Sequence, residues 1–146
     1  MDLESELRRE IYSRTVTSGV PPTIAGLAKA LAIDAGDTRS GLARLAAARI
    51  VVLQPGTGEL LMVPPFSAVP TPFLVETSRY TCYANCAWDA LGVPAMLQER
   101  ARMMTACGCC GEAMVVDVAL DDAPKTTEVI HFAVPAAQWW DDVVFT

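Results

Sequence analysis

The residues best suited to chemistry lie in Tyr80-Thr-Cys-Tyr-Ala-Asn-Cys-Ala-Trp-Asp-Ala-Leu91. Read as a helix, this stretch spaces Cys82 and Cys86 at i, i+4 and Cys86 and Asp89 at i, i+3. All three then project from one face. A thiolate there is a soft nucleophile and a ligand for soft metals such as Hg, Cu(I) or Cd, and a neighbouring carboxyl can carry a proton. The competing reading is a plain core, because cysteine is among the most buried residue types and Asp89 could simply be solvated.

A second thiol-rich segment, Thr105-Ala-Cys-Gly-Cys-Cys-Gly111, puts Cys107, Cys109 and Cys110 in a turn that could hold a soft or borderline metal. Structural zinc sites use separated C-x2-C knuckles. The spacings here, C-x3-C for Cys82 and Cys86 and C-x-C-C after them, leave that pattern incomplete, and Cys107 also reads as a packing residue. His131, the sole histidine, alternates with Ile130 and Phe132 and reads as structural. No Ser-His-Asp set, Gly-rich phosphate loop or pair of catalytic carboxylates can be assembled. Trp139-Trp140-Asp141-Asp142 reads as the amphipathic end of a helix.

Composition narrows the field. The 146 residues are 52% hydrophobic and 19% charged, with a mean hydropathy of +0.31, which excludes a disordered chain. No apolar run approaches the roughly 18–20 residues of a membrane span. The N-terminus has no apolar region behind a basic one, so no secretory signal is read and a cytoplasmic location is expected. Reduced cysteines follow from that location, and all five fall between Cys82 and Cys110. A net charge of -6 and a pI near 4.6 disfavour a phosphate-backbone partner.

Periodicity predicts the elements that carry these residues. Leu3, Leu7 and Ile11 mark a helix to about Thr17, ended by Gly19-Val20-Pro21-Pro22. Thr23 caps a short helix through Leu31. Asp34 to Asp37 read as a turn, and a third helix runs from about Thr38 to Ala48 with Leu42 and Leu45 inward. Ile50–Leu53 and Leu60–Val63 form a hairpin around Gln54–Gly58. Three helices and a hairpin make a winged-helix arrangement. Its third helix offers only Arg39, Arg44 and Arg49 and none of the Asn, Gln or Lys that read base edges, so DNA binding is not expected.

Pro64, Pro65, Pro70 and Pro72 mark an extended crossing that joins no sheet interior. A helix from Tyr80 to about Met96 follows, kinked or ended early by Pro94. Strands are expected over Ala101–Ala106, Ala113–Leu120 and Glu128–Val134, with turns at Cys107–Gly111 and Asp121–Lys125. Pro135 starts a short helix, and Val143–Thr146 reads as the opening of a core strand. The expected class is α+β. A winged-helix-like lobe spans 1–63, a Pro-rich linker 64–79, and a cysteine-bearing domain with a mixed sheet and flanking helices 80–146.

A winged-helix-like lobe, a Pro-rich crossing, Cys86-Ala-Trp-Asp-Ala-Leu91 and a strand ending at Cys107 together resemble the organomercurial (alkylmercury) lyases. The resemblance runs from about Leu3 to Thr146 and is most specific over Tyr80 to Val118. It implies that Cys86 attacks mercury, that Asp89 protonates the departing carbon, and that Cys107 is chiefly structural. The family's second catalytic thiol would fall immediately after Thr146, which agrees with the abrupt apolar ending and implies a truncated or continuing frame (a selenocysteine codon among the options). Cys82 or the Cys109-Cys110 pair could substitute.

The resemblance further implies carbon–mercury protonolysis of organomercury compounds, with Hg(II) as bound product and no cofactor required. External cytosolic thiols would release the product, with a mercuric reductase as possible recipient. It involves no membrane and no nucleic acid, and turnover is expected to be impaired in this short form. Two alternatives stay open: a thiol-based metal or redox sensor with a winged-helix lobe, and a lyase fold repurposed for other soft-metal or sulfur chemistry.

Overall fold

The computed structural model describes residues 2–121 and 126–144. Helix α1 (Leu3–Ser18) starts where the Asp2 carboxylate accepts the Ser5 N–H at 2.8 Å and stops at Gly19, whose φ is +76°. Glycine is required there twice over. The backbone is left-handed, and the Tyr80 ring occupies the space a Cβ would need. The Tyr80 hydroxyl also donates to the Val16 carbonyl at 2.8 Å, tying the helical region to the sheet. Thr23 caps α2 (Ile24–Leu31), as its position predicts. Helix α3 (Ala35–Ala47) begins earlier than expected. Asp34 accepts the Asp37 N–H at 2.8 Å, so the supposed turn at 34–37 is the cap and first helical turn.

The three helices bury Leu7, Ile11, Leu27, Leu42 and Leu45 against the hairpin of β1 (Val52–Leu53) and β2 (Leu60–Val63). That hairpin is the edge of one seven-stranded sheet, which continues through β3 (Phe66–Ser67), β4 (Leu74–Glu76), β5 (Thr81–Ala84), β6 (Ala101–Ala106) and β7 (Ala113–Val118). The spatial order is β1-β2-β3-β5-β4-β6-β7. The class is α+β, and every pairing is antiparallel rather than mixed.

The 64–79 segment does not bypass the sheet. It contributes β3 and the interior strand β4, because its prolines flank the strands and none falls inside them. Tyr80 to Met96 is likewise not one helix. Thr81, Cys82 and Tyr83 pair with β4, where Val75 faces Cys82, and α4 (Ala87–Leu97) begins only after Cys86. Pro94 lies buried within α4 and does not end it. Helix α4 packs on the sheet over Phe66, Val75, Cys82, Ala84 and Met103, the second core.

Beyond β7 the expected strand over Glu128–Val134 is not formed. Residues 126–134 are irregular, and Val129 is 86% exposed. Their alternating apolar residues serve another surface. Phe132 packs against Trp139 with tilted rings whose centroids are 4.9 Å apart, next to a 3-10 turn at Ala136–Gln138. Val143 and Val144 sit in a turn, not a strand. Most of the expected 121–125 turn and the last two residues of the chain lie outside the described residues. Among the described residues no helix is long and apolar enough to cross a membrane.

Candidate active site

Strand β5 delivers Asn85 and Cys86 to the start of α4. Cys86 is extended (φ -152°, ψ 178°) and caps the helix, its sulfur accepting the Asp89 N–H at 3.4 Å. Cys86 and Asp89 therefore meet as N-cap and third helical residue, with sulfur in the place of the usual capping oxygen. The spacing predicted that Cys86 and Asp89 would meet, and they do, through a helix cap and not along a helix face. Cys82 does not share their face: it sits one strand residue from Tyr83, only 2% exposed and packed in the sheet core.

The Asp89 carboxyl accepts from the Asn85 side-chain amide at 2.9 Å. Burial pushes its pKa up, and the Asn85 hydrogen bond opposes that shift. Burial also raises the Cys86 thiol. The Asp89 N–H pulls it down and the Asp89 charge pushes it further up. Burial thus outweighs the helix N-terminus, which alone would favour both anions. Both groups open into a largely apolar cavity of about 190 Å³ bounded by Met62, Pro64, Trp88, Phe132, Trp139 and Trp140. An apolar cavity of about 150 Å³ accepts benzene, so the space suits a small hydrocarbon group.

The C-terminal segment forms one wall of this cavity. The Trp139 indole donates to the Val134 carbonyl at 2.8 Å, and Arg49 lies 5.5 Å over the Trp140 ring. The other two candidate DNA-reading cations are engaged as well. Arg39 donates to the Thr57 carbonyl at 2.6 Å, and Arg44 pairs with Glu4. His131 is exposed and outside the cavity lining.

Cys107, Cys109 and Cys110 gather in the β6–β7 turn with their sulfurs within 4.8 Å of one another. The Cys109 thiol, followed by the backbone N–H groups of Cys109 and Cys110, hydrogen-bonds the Cys107 sulfur and brings its pKa down to about 7. Cys82, by contrast, is pushed by burial to about 11.

Sequence reasoning missed Asn85 and Tyr12. Asn85 was adjacent to a candidate nucleophile, which is a usable signal. Tyr12 comes from α1, donates to the Pro64 carbonyl at 3.2 Å and feels the Asp89 charge; nothing local in sequence announces that. It also passed over the spacing Cys107-x2-Cys110 followed by Gly111.

The family model described as MerB, alkylmercury lyase, matches residues 66–146. The fold is similar to the crystal structure of the mercury-bound form of MerB2, with a TM-score of 0.62 and 22% identity over 82% of this chain. The chain spans 57% of that protein. No curated protein matches by sequence.

Proposed function

Because this chain belongs to the alkylmercury lyase family, we propose that it cleaves carbon–mercury bonds by protonolysis, with Cys86 as nucleophile and Asp89 as proton donor. The observation that carries this is the contact of the Cys86 sulfur with the Asp89 backbone inside an apolar cavity. Mercury is the substrate's own atom, and a soft metal is what a thiol binds best.

The Cys86 sulfur displaces the other ligand of mercury, a thiolate when free thiol is in excess, and that leaving thiolate takes the Cys86 proton, giving a two-coordinate adduct that still carries the organic group. A second thiolate bonds mercury and raises the electron density on the bound carbon. Asp89, whose pKa burial raises and whose carboxyl Asn85 orients, gives its proton to that carbon as the carbon–mercury bond breaks. The hydrocarbon departs, and Hg(II) stays between two sulfurs. No electron transfer and no cofactor enters the step.

Cys82 is sealed in the core and the turn thiols lie across β4, so the described residues offer Cys86 no second thiol beside it. An external thiol then supplies it, and the 146 residues alone turn over slowly. Cytosolic thiols would also carry the Hg(II) onward, to a mercuric reductase where one is present.

The test is release of benzene from phenylmercury in excess thiol, followed by gas chromatography. Asp89→Asn is expected to lower the rate about 10²–10⁴-fold, the usual worth of a positioned acid. It should leave mercury bound at Cys86, whereas Cys86→Ser removes that binding. Unchanged release in either variant would sink the assignment.

A further inference from the structure

The β6–β7 turn holds a thiol cluster that the reaction above does not use. The Cys107 and Cys109 sulfurs lie 3.1 Å apart, and Cys110 completes a set within 4.8 Å. The turn is well braced. The Gly111 N–H donates to the Cys107 carbonyl and the Cys107 N–H to the Glu112 carbonyl, both at 2.8 Å, while Gly111 takes φ +74°. Cys109 and Cys110 are exposed, and space beside Gly108 and Gly111 is open.

Two thiols spaced C-x2-C on a braced turn form one half of a metal knuckle, and Cys109 adds a third sulfur from the same turn. With metal–sulfur bonds of about 2.3 Å, three sulfurs around a trigonal ion stand about 4 Å apart. The observed separations, 3.1 Å between Cys107 and Cys109 and within 4.8 Å for the whole set, bracket that distance.

We propose that Cys107, Cys109 and Cys110 form a second, exposed site for a thiophilic d10 cation, bound by three thiolates with an open position, and that its cargo is the Hg(II) leaving Cys86. The cargo rests on the function proposed above; the binding does not. Strands β5 and β6 run in the same direction on either side of β4, where Leu74 pairs with both Tyr83 and Met104. Cys86 and Cys107 therefore follow strands that end on the same side of the sheet and run about 10 Å apart, with β4 between them. One mercury cannot bond both at once, so a small free thiol carries it across. Its sulfur bonds mercury as the Cys86 sulfur leaves, and the proton given up by the incoming thiol goes to the departing one. At the turn two cysteine thiols exchange in the same way for the two carried thiolates, and the third sulfur binds after giving its proton to solvent, with no change of oxidation state.

The test titrates the reduced full chain with mercuric chloride against a competing monothiol. Retained metal is counted after gel filtration, and its sulfur neighbours by X-ray absorption. Wild type is expected to retain one equivalent more than the Cys107→Ser, Cys109→Ser, Cys110→Ser triple variant. Cys86→Ser should keep that equivalent with three sulfur neighbours. Cys110→Ser alone should weaken it by more than about a hundredfold, beyond the roughly 10–100-fold effect of losing a supporting hydrogen bond, with circular dichroism confirming the fold. A triple variant retaining as much mercury as wild type, or a Cys86→Ser variant retaining none, overturns the site. Retention at the turn without benzene release from phenylmercury by wild type would fell the active-site reading while upholding the metal site.

Discussion

Two regions at one end of the sheet hold cysteine sulfur, and they treat it in opposite ways. Cys86 caps a helix inside an apolar cavity, and burial keeps its proton on. Cys107 stands on an open turn where a neighbouring thiol and two backbone N–H groups draw its proton off near pH 7. Cys109, its partner, moves the other way because its proton is held in the hydrogen bond to the Cys107 sulfur and the Cys107 thiolate opposes a second charge beside it. The first site has an acid beside it and apolar walls to hold a hydrocarbon. The second has neither, only several sulfurs and access to water. The contrast shows that reactivity is set by what surrounds the sulfur: one environment suits breaking a bond, the other suits holding and releasing an ion.

Alkylation rates are the most direct way to break that comparison. Between Cys107 at about 7 and Cys82 at about 11, ionisation at pH 7 favours Cys107 by about 10⁴. Its lower basicity returns about 10² of that. Cys107 should therefore react with iodoacetamide about 10²-fold faster than Cys82 before the inaccessibility of Cys82 widens the gap, with Cys86 between them. Below pH 7 the Cys107 rate should fall about tenfold per pH unit, as its thiolate is lost. Mass spectrometry of tryptic peptides reads all three, and equal rates would erase the distinction. A smaller effect tests the cause. Trp139→Ala removes a cavity wall, so Cys86 alkylation should rise as burial is relieved and access opens, while Cys107 labelling stays unchanged.

The same contrast explains what could be read from sequence. The N-terminal helices announced themselves through Leu3, Leu7, Ile11 and the Thr23 cap, because local periodicity and capping decide them. The β6–β7 hairpin did so too, since glycines bracket its turn. The stretch from Pro64 to Ala84 did not. Its strands are two to four residues long and owe their existence to partners distant in the chain, as Val75 does to both Cys82 and Met103. An i, i+4 spacing there imitated a helix face. Cys86 and Asp89 were legible as a pair because the cap and third helical positions share the i, i+3 interval. The apolar alternation at Ile130 and Phe132 misled, for neither joins a ladder and Phe132 lines a cavity.

The subtlest consequence concerns stability, and it separates the two regions again. Burial raises the Asp89 pKa above its ordinary 3.8, so the folded chain holds that proton more tightly than the unfolded one. Between the ordinary and the folded value the native state binds more protons, and stability therefore falls as pH rises through that window and stays lowered at neutrality. Asp89→Asn removes the buried charge yet keeps an acceptor oxygen for the Asn85 amide. Its Tm should therefore exceed that of wild type at pH 7, with the difference closing as pH is lowered through the window, even though benzene release is lost. Thermal unfolding at both ends of the window measures this. Cys107→Ser, on a turn with little buried surface, should show no such pH-dependent gain. An Asp89→Asn advantage that did not change with pH would mean that packing, and not the cost of a buried carboxylate, distinguishes the cavity from the turn.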